Sequence, residues 1–181
     1  MINQQINTMR ALIVLLFIVS TSLSLKAQAV DRTNFRAGIN GGLVIGDFSE
    51  AYSFVLGLDI YHHWGVSKEI DLGIATGFSN AFGETQEVSG GGVSIENKFA
   101  NVQFLPVAGS VRIYPASGFK IGGDVGYALG INSGNDGGFY YRPSIGIDMN
   151  GGSKEFNISY FAVSGDTATY SSVLAGFLIL F

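Results

Sequence analysis

Residues 70–78 read Ile70-Asp71-Leu72-Gly73-Ile74-Ala75-Thr76-Gly77-Phe78. Large apolar side chains stand at Ile70, Leu72, Ile74 and Phe78, while Asp71, Gly73, Ala75 and Gly77 fill the gaps. Successive side chains of an extended chain point to opposite faces, so this stretch is a strand with one bulky apolar face and one narrow face that carries a charge. The same alternation returns in Phe35-x-Ala37-x-Ile39-x-Gly41-x-Leu43-x-Ile45, in Tyr52 to Ile60, in Phe119 to Leu129, in Phe139 to Met149, in Phe156 to Tyr160 and in Val173 to Phe181. A further segment, about Phe99 to Tyr114, changes phase: Val102 and Phe104 lead and Val107, Val111 and Ile113 follow. Pro106 lies between them and has no N–H to donate, which predicts a bulge there.

Composition agrees with strands. The 181-residue chain is 47% hydrophobic and only 13% charged, with 26 glycines and a mean hydropathy of +0.33. Soluble domains carry about 25% charged residues and about 7% glycine, and each glycine inside a helix costs about 1 kcal/mol relative to alanine. Cysteine is absent, so disulfide and thiolate chemistry are excluded.

The N-terminal segment is of a different kind. Arg10, the apolar run Ala11 to Leu25 and the Ala27-x-Ala29 pattern form a basic region, a short hydrophobic region and a cleavage site. The run falls short of the roughly 20 residues that span a bilayer, and it predicts a cleaved signal peptide over residues 1–29 with residues 30–181 as the exported domain. From Val30 onward eight Lys and Arg face fourteen Asp and Glu. That acidic balance argues against nucleic acid, which selects basic surfaces.

Eight segments, most about 9 to 13 residues long, suit tilted transmembrane strands, which need about 9 to 11. Their connections alternate: Gly65 to Lys68, Pro115 to Gly118 and Asn150 to Lys154 are short, and Gly83 to Lys98 is the longest loop. Side-chain size decides which face looks outward. The inside of an eight-stranded barrel is narrow, whereas its convex outside has room for Phe, Ile and Leu. The bulky face is therefore expected to meet lipid.

The strand charges Arg36, Asp59, Asp71, Arg112, Lys120, Asp124, Arg142 and Asp148 all fall on the small-residue phase. They are expected to form a salt-bridge network inside the barrel. Glycines on that face leave room in the outer half, and the charges crowd the periplasmic half. Phe35, Trp64, Tyr114, Phe119 and Phe156, with the terminal Phe181, are expected at the periplasmic interface. Tyr52, Phe78, Phe82, Tyr127, Phe139, Tyr141 and Tyr160 are expected at the outer one. The loops between carry Asp47, Glu50, Glu84, Glu87, Glu96, Asp136 and Asp166, a solvated face or one where divalent cations bridge to anionic lipopolysaccharide.

The signal peptide, the alternating strands, the runs "NVQFLPVAGSVRIYP" (101–115) and "GFYYRPSIGIDM" (138–149) and the C-terminal "FLILF" resemble the small outer-membrane β-barrels of the OmpA/OmpX-like and the PorT-like, Bacteroidetes type. The resemblance implies an all-β, eight-stranded antiparallel up-and-down transmembrane barrel in a Gram-negative outer membrane. It also implies that Phe177, Ile179 and Phe181 are the signal read by the barrel assembly machinery, and it raises an accessory role in protein secretion. Expected partners are outer-membrane lipid and lipopolysaccharide, with a protein partner unspecified.

Catalytic motifs are weak. Ser117-x-x-Lys120 lacks the companion motifs of penicillin-binding enzymes, and His62 and His63, being adjacent on a strand, face opposite ways and cannot share a metal. A lipid-modifying enzyme would need a Ser beside a His base on the lipid-facing or outer rim, and both histidines are expected at the periplasmic one. The resulting expectation is a non-enzymatic barrel without cofactor, its lumen polar and closed, serving envelope structure or surface interaction; a narrow pore is the alternative.

Overall fold

The computed structural model describes residues 33–90, 93–166 and 168–181; the signal-peptide segment lies outside these. The chain forms β1 (Thr33–Ile45), β2 (Tyr52–Gly65), β3 (Ile70–Gly83), β4 (Thr85–Gly90), β5 (Val93–Lys98), β6 (Val102–Ala116), β7 (Phe119–Gly130), β8 (Gly138–Met149), β9 (Lys154–Ser164) and β10 (Thr169–Leu180). Eight of these close an antiparallel barrel in the order β1-β10-β9-β8-β7-β6-β3-β2, each strand beside its sequence neighbours, and β4 with β5 makes a separate two-stranded sheet. The barrel is thus an up-and-down meander. A 12-residue strand inclined by about 40° climbs roughly 30 Å.

Closure is set by the first and last strands. They pair antiparallel without a break from Arg36↔Leu180 to Ile45↔Ser171, so no strand edge of the barrel is left open to another chain. Phe181 N–H adds a bond to Phe35 O at 2.9 Å beyond the last paired residue.

Two expectations fail in the loops and at Pro106. The stretch Gly83 to Lys98 is not a plain loop: β4 and β5 pair from Thr85↔Lys98 to Gly90↔Val93, and Gln86 Nε2 donates to Glu50 O at 2.8 Å. In the sequence, Val88 on one side and Val93 and Ile95 on the other flank a glycine run, the pattern of two strands meeting in a hairpin. No bulge occurs at Pro106, since the β3–β6 register is the same on both sides, Thr76↔Val107 and Ser79↔Phe104. Instead the ladder lapses for two residues, and the Thr76 hydroxyl donates to Pro106 O at 2.9 Å. The barrel's register shifts lie elsewhere, between Tyr52 and Phe54 and between Ile113 and Ala116.

The wall is turned inside out relative to a water-soluble barrel. Its large outward residues are exposed, Ile39 at 63%, Leu43 at 61% and Ile74 at 58% among them. Arg36, Asp59, Asp71, Arg112, Lys120, Asp124 and Arg142 are buried in the lumen. Short connections (66–69, 117–118, 150–153) gather at the end that holds both termini of the barrel. The opposite end carries 46–51, the β4–β5 hairpin and 131–137.

Candidate functional site

The lumen has two storeys. Toward the short-turn end it is ionic. Lys120 Nζ reaches Asp148 Oδ1 at 2.5 Å and Glu155 Oε2 at 2.7 Å. Arg36 Nη1 lies 3.4 Å from each of the same two carboxylates and caps the turn by donating from Nη2 to Gly152 O at 3.2 Å. On neighbouring strands Arg112 pairs with Asp124 at 2.8 Å. Asp71, fully buried, accepts from the Tyr114 hydroxyl at 2.6 Å and from Asn34 Nδ2 at 3.4 Å. Higher up, Arg142 holds Asp59 through both guanidinium nitrogens, at 2.6 and 3.0 Å. A charge taken out of water is tolerated when it is paired and hydrogen-bonded, and each of these cations meets a carboxylate.

Glycines make room for this layer. Gly57, Asn40, Gly176, Asn157 and Gly146 form one row across β2, β1, β10, β9 and β8. A methyl group on Gly176 would come within 2.7 Å of Asn157 Oδ1, and one on Gly57 within 2.7 Å of Asn40 Oδ1. Each asparagine therefore lies over the space its glycine neighbour leaves.

Toward the other end the lumen is aromatic. Phe104, Tyr140, Phe161 and Tyr170 are buried together, with ring centroids 5.2 Å apart for Phe104–Tyr170 and 5.1 Å for Tyr140–Phe161. Val55 and Leu174 complete the layer. This corrects the expectation of spare room in the outer half: large side chains close it. Above them opens a cavity of about 680 Å³ at the mouth.

The histidines separate as neighbours on a strand must. His62 sits on the outer wall, its ring 4.5 Å from Trp64 and 6.4 Å from Phe35. His63 is not at the rim but buried in the lumen, its Nε2 2.8 Å from Ser110 Oγ, which in turn donates to Asp124 Oδ1 at 2.7 Å. These are the residue types of a hydrolase triad in the wrong order. A nucleophilic serine needs the imidazole between itself and the carboxylate; here the serine is in the middle and its hydroxyl donates to Asp124. Among the described residues no group of three or more His, Asp or Glu gathers to hold a metal.

Of the aromatics expected at the short-turn rim, Phe35, Trp64, Phe156 and Phe181 are exposed on the outer wall, and Phe119 is half-buried there. Tyr114 is a correction: it shares the phase of Arg112, turns inward to Asp71 and lies under Lys120, whose Nζ is 5.5 Å from its ring. Tyr52 also departs from the outer girdle, because the register shift beside it turns the ring to the mouth, against Phe48 and Phe99. Phe177 and Ile179 face outward on β10 in phase with Phe181, whose ring packs edge-on against Phe35 at 6.1 Å.

Ail of Yersinia pestis, an outer membrane protein determined in a phospholipid bilayer nanodisc, superposes with a TM-score of 0.52 at 10% identity, over 84% of this chain and 100% of that one. The outer membrane protein OprG of Pseudomonas aeruginosa gives 0.50 at 15% identity, over 84% and 97%. The fold is that of small outer-membrane barrels. No protein-family model and no curated protein matches the sequence.

Glu155 is absent from the charges expected in the lumen and His63 is expected at the rim, and the signal that places both inside is phase. Glu155 alternates with Phe156 in step with Asn157 and Ser159, and His63 is in step with Asp59 and Tyr61. The inward aromatics gave no such signal, because Phe139-Tyr140-Tyr141 and Tyr160-Phe161-Ala162-Val163 are apolar on both phases.

Proposed function

We propose that this chain is an integral outer-membrane barrel with a closed lumen, which presents its long-loop end to the outside and serves envelope structure or surface interaction. The observation that carries this reading is the inversion of the wall. Ile39, Leu43, Ile74, Val107, Val125 and Ile145 are exposed around the barrel, while the strand charges turn inward, and a contiguous apolar surface of that size is stable only against lipid. Hydrogen bonding closed on itself suits the same medium, which offers no water to a free backbone group.

The closed lumen is supported by the ionic storey and the aromatic storey stacked on it. Ions crossing would have to break Lys120 from two carboxylates and then pass the Phe104, Tyr140 and Phe161 rings. Outer-membrane fractionation with gel migration before and after boiling tests the location. The expected result is a membrane-bound protein whose unboiled form migrates faster; a protein soluble without detergent overturns the reading.

A further inference from the structure

Among the described residues Asn150 is the one side chain other than glycine that stands at positive φ, at 51°. It opens the short turn between β8 and β9, and Gly151 and Gly152 follow at 68° and 90°. Asparagine enters this left-handed region more readily than most residues, and the two glycines can leave it at little steric cost. Asn150 and Gly151 are both exposed, and a methyl group built on Gly151 would meet nothing within 4 Å. The turn thus carries a side-chain amide next to a backbone nitrogen that no neighbouring side chain crowds.

That pairing has a chemistry of its own. Once Gly151 N has given its proton to solvent base, it can bond to Asn150 Cγ and close a succinimide ring. The two groups belong to one chain and react without an encounter step. The Cγ–Nδ2 bond breaks, and Nδ2 takes up a proton and leaves as ammonia. Water then adds at either ring carbonyl carbon and breaks that carbon's bond to nitrogen, giving aspartate from one opening and isoaspartate from the other. A side chain on the following residue obstructs the attacking nitrogen, and glycine has none.

Elsewhere the same chemistry is held back. Asn-Gly occurs in the sequence at 40–41 and at 150–151. Asn40 is 4% exposed inside the lumen, on a strand paired with β2 on one side and β10 on the other, so ring closure there requires the barrel to open first. At the long-loop end Asp136 precedes Gly137, whose N–H is tied to Asn135 Oδ1 at 3.1 Å.

The Asn150 turn also bears on closure. Gly152 O accepts from Arg36 Nη2 at 3.2 Å and Ser153 O accepts from Leu180 N–H at 2.9 Å, so one turn holds both the first strand and the last. Asn150 Nδ2 donates to Ser153 Oγ at 3.0 Å, and that hydroxyl donates to Asn150 O at 2.9 Å. Loss of ammonia removes the Nδ2 donor, and isoaspartate lengthens the main chain by one carbon between these anchors.

We infer that Asn150 is a site of spontaneous deamidation, a covalent modification through a succinimide with Gly151 that loosens the hold of the turn on β1 and β10. The inference goes beyond the barrel's proposed place in the envelope and stands on the turn alone.

The test is incubation of the folded protein in dodecyl maltoside micelles and heavy-oxygen water, at neutral and at mildly alkaline pH, followed by mass spectrometry of its proteolytic fragments. Asn150 is expected to lose ammonia and gain one heavy oxygen about tenfold or more faster than Asn40, because Asn40 must wait for local opening. Conversion should be faster at the higher pH, and part of the product should accept a methyl group from isoaspartyl methyltransferase. Urea-unfolded protein is expected to convert the two sites alike. Asn150→Gly keeps the backbone free to take positive φ and has no amide to lose; it is expected to show the wild-type unboiled gel shift. Aged wild type should unfold at lower urea than fresh protein, and aged Asn150→Gly should not. An Asn150 amide that persists in the folded protein while the unfolded chain converts, or equal rates at Asn40 and Asn150 in the folded protein, would overturn the site. Full conversion with an unchanged urea midpoint would overturn its link to closure. Failure of the barrel to partition into membranes would count against the preceding proposal and leave this one standing.

Discussion

Arg142 grips Asp59 from the diametrically opposite strand of the barrel. The two contacts, Nη1 to Oδ1 at 2.6 Å and Nη2 to Oδ2 at 3.0 Å, join β8 to β2 across the lumen, and Arg142 Nε is in turn spent on Ser159 Oγ at 2.8 Å. Removing one member strands the other charge in a buried place. Arg142→Met is expected to cost about 3 to 5 kcal/mol, and Arg142→Met with Asp59→Leu much less than the two single changes added together. Urea unfolding in lipid vesicles measures both, and additive losses would contradict the pairing.

Lumen packing around Gly176 makes a separate demand. Its position between Asn40 and Asn157 leaves no volume for a side chain. Gly176→Val is expected to destabilise by about 1 to 3 kcal/mol through overpacking. Adding Asn157→Ala should recover part of that loss in the same unfolding assay.

Depth across the outer wall should be readable in arginine scanning. Ile39, at the middle of β1 and exposed outward, is expected to cost about 2 to 4 kcal/mol as Ile39→Arg, and Trp64→Arg near the strand end about 0 to 1. Similar costs at the two positions would argue against a bilayer around the barrel.

Conduction is expected to depend on the aromatic layer and the ion pairs together. Wild-type protein in planar bilayers should show no steady single-channel current. Phe104→Ala with Phe161→Ala empties the upper storey, and Lys120→Ala then loosens the lower one; steps of current are expected in the triple variant and not in the first two changes alone. An open wild-type channel would reject the plug.

If Phe177, Ile179 and Phe181 act as the assembly signal, Phe181→Ala should reduce folded protein in cells several-fold yet leave refolding into lipid vesicles in vitro close to wild type, a loss below about 1 kcal/mol. Equal losses in both settings would make its contact with Phe35 a structural one.

Much of the barrel was legible because one stretch such as Ile70 to Phe78 carries period, size and charge at once. The face that takes Asp71 must be narrow and sheltered, and that alone orients the wall. What escaped was whatever depends on strands distant in sequence. Phe104 looked like half of a phase change because its true neighbours, Phe161 and Tyr170, arrive from β9 and β10. Tyr114 looked like a girdle residue because aromatic rings suit either face, and the carboxylate that draws it inward belongs to β3. Charge separation along the chain gave no hint of which cation meets which anion: Arg142 passes over Asp148 on its own strand and takes Asp59 instead.

That choice of partner governs how the molecule comes apart. The seam between β1 and β10 is held by ordinary ladder bonds, and a tube of this kind could in principle unzip there like a cut hose. A strut across the bore ties together two walls on either side of that seam. Peeling the edge open stretches the strut before many ladder bonds are lost, so gradual fraying is suppressed and wall and interior give way as a single event.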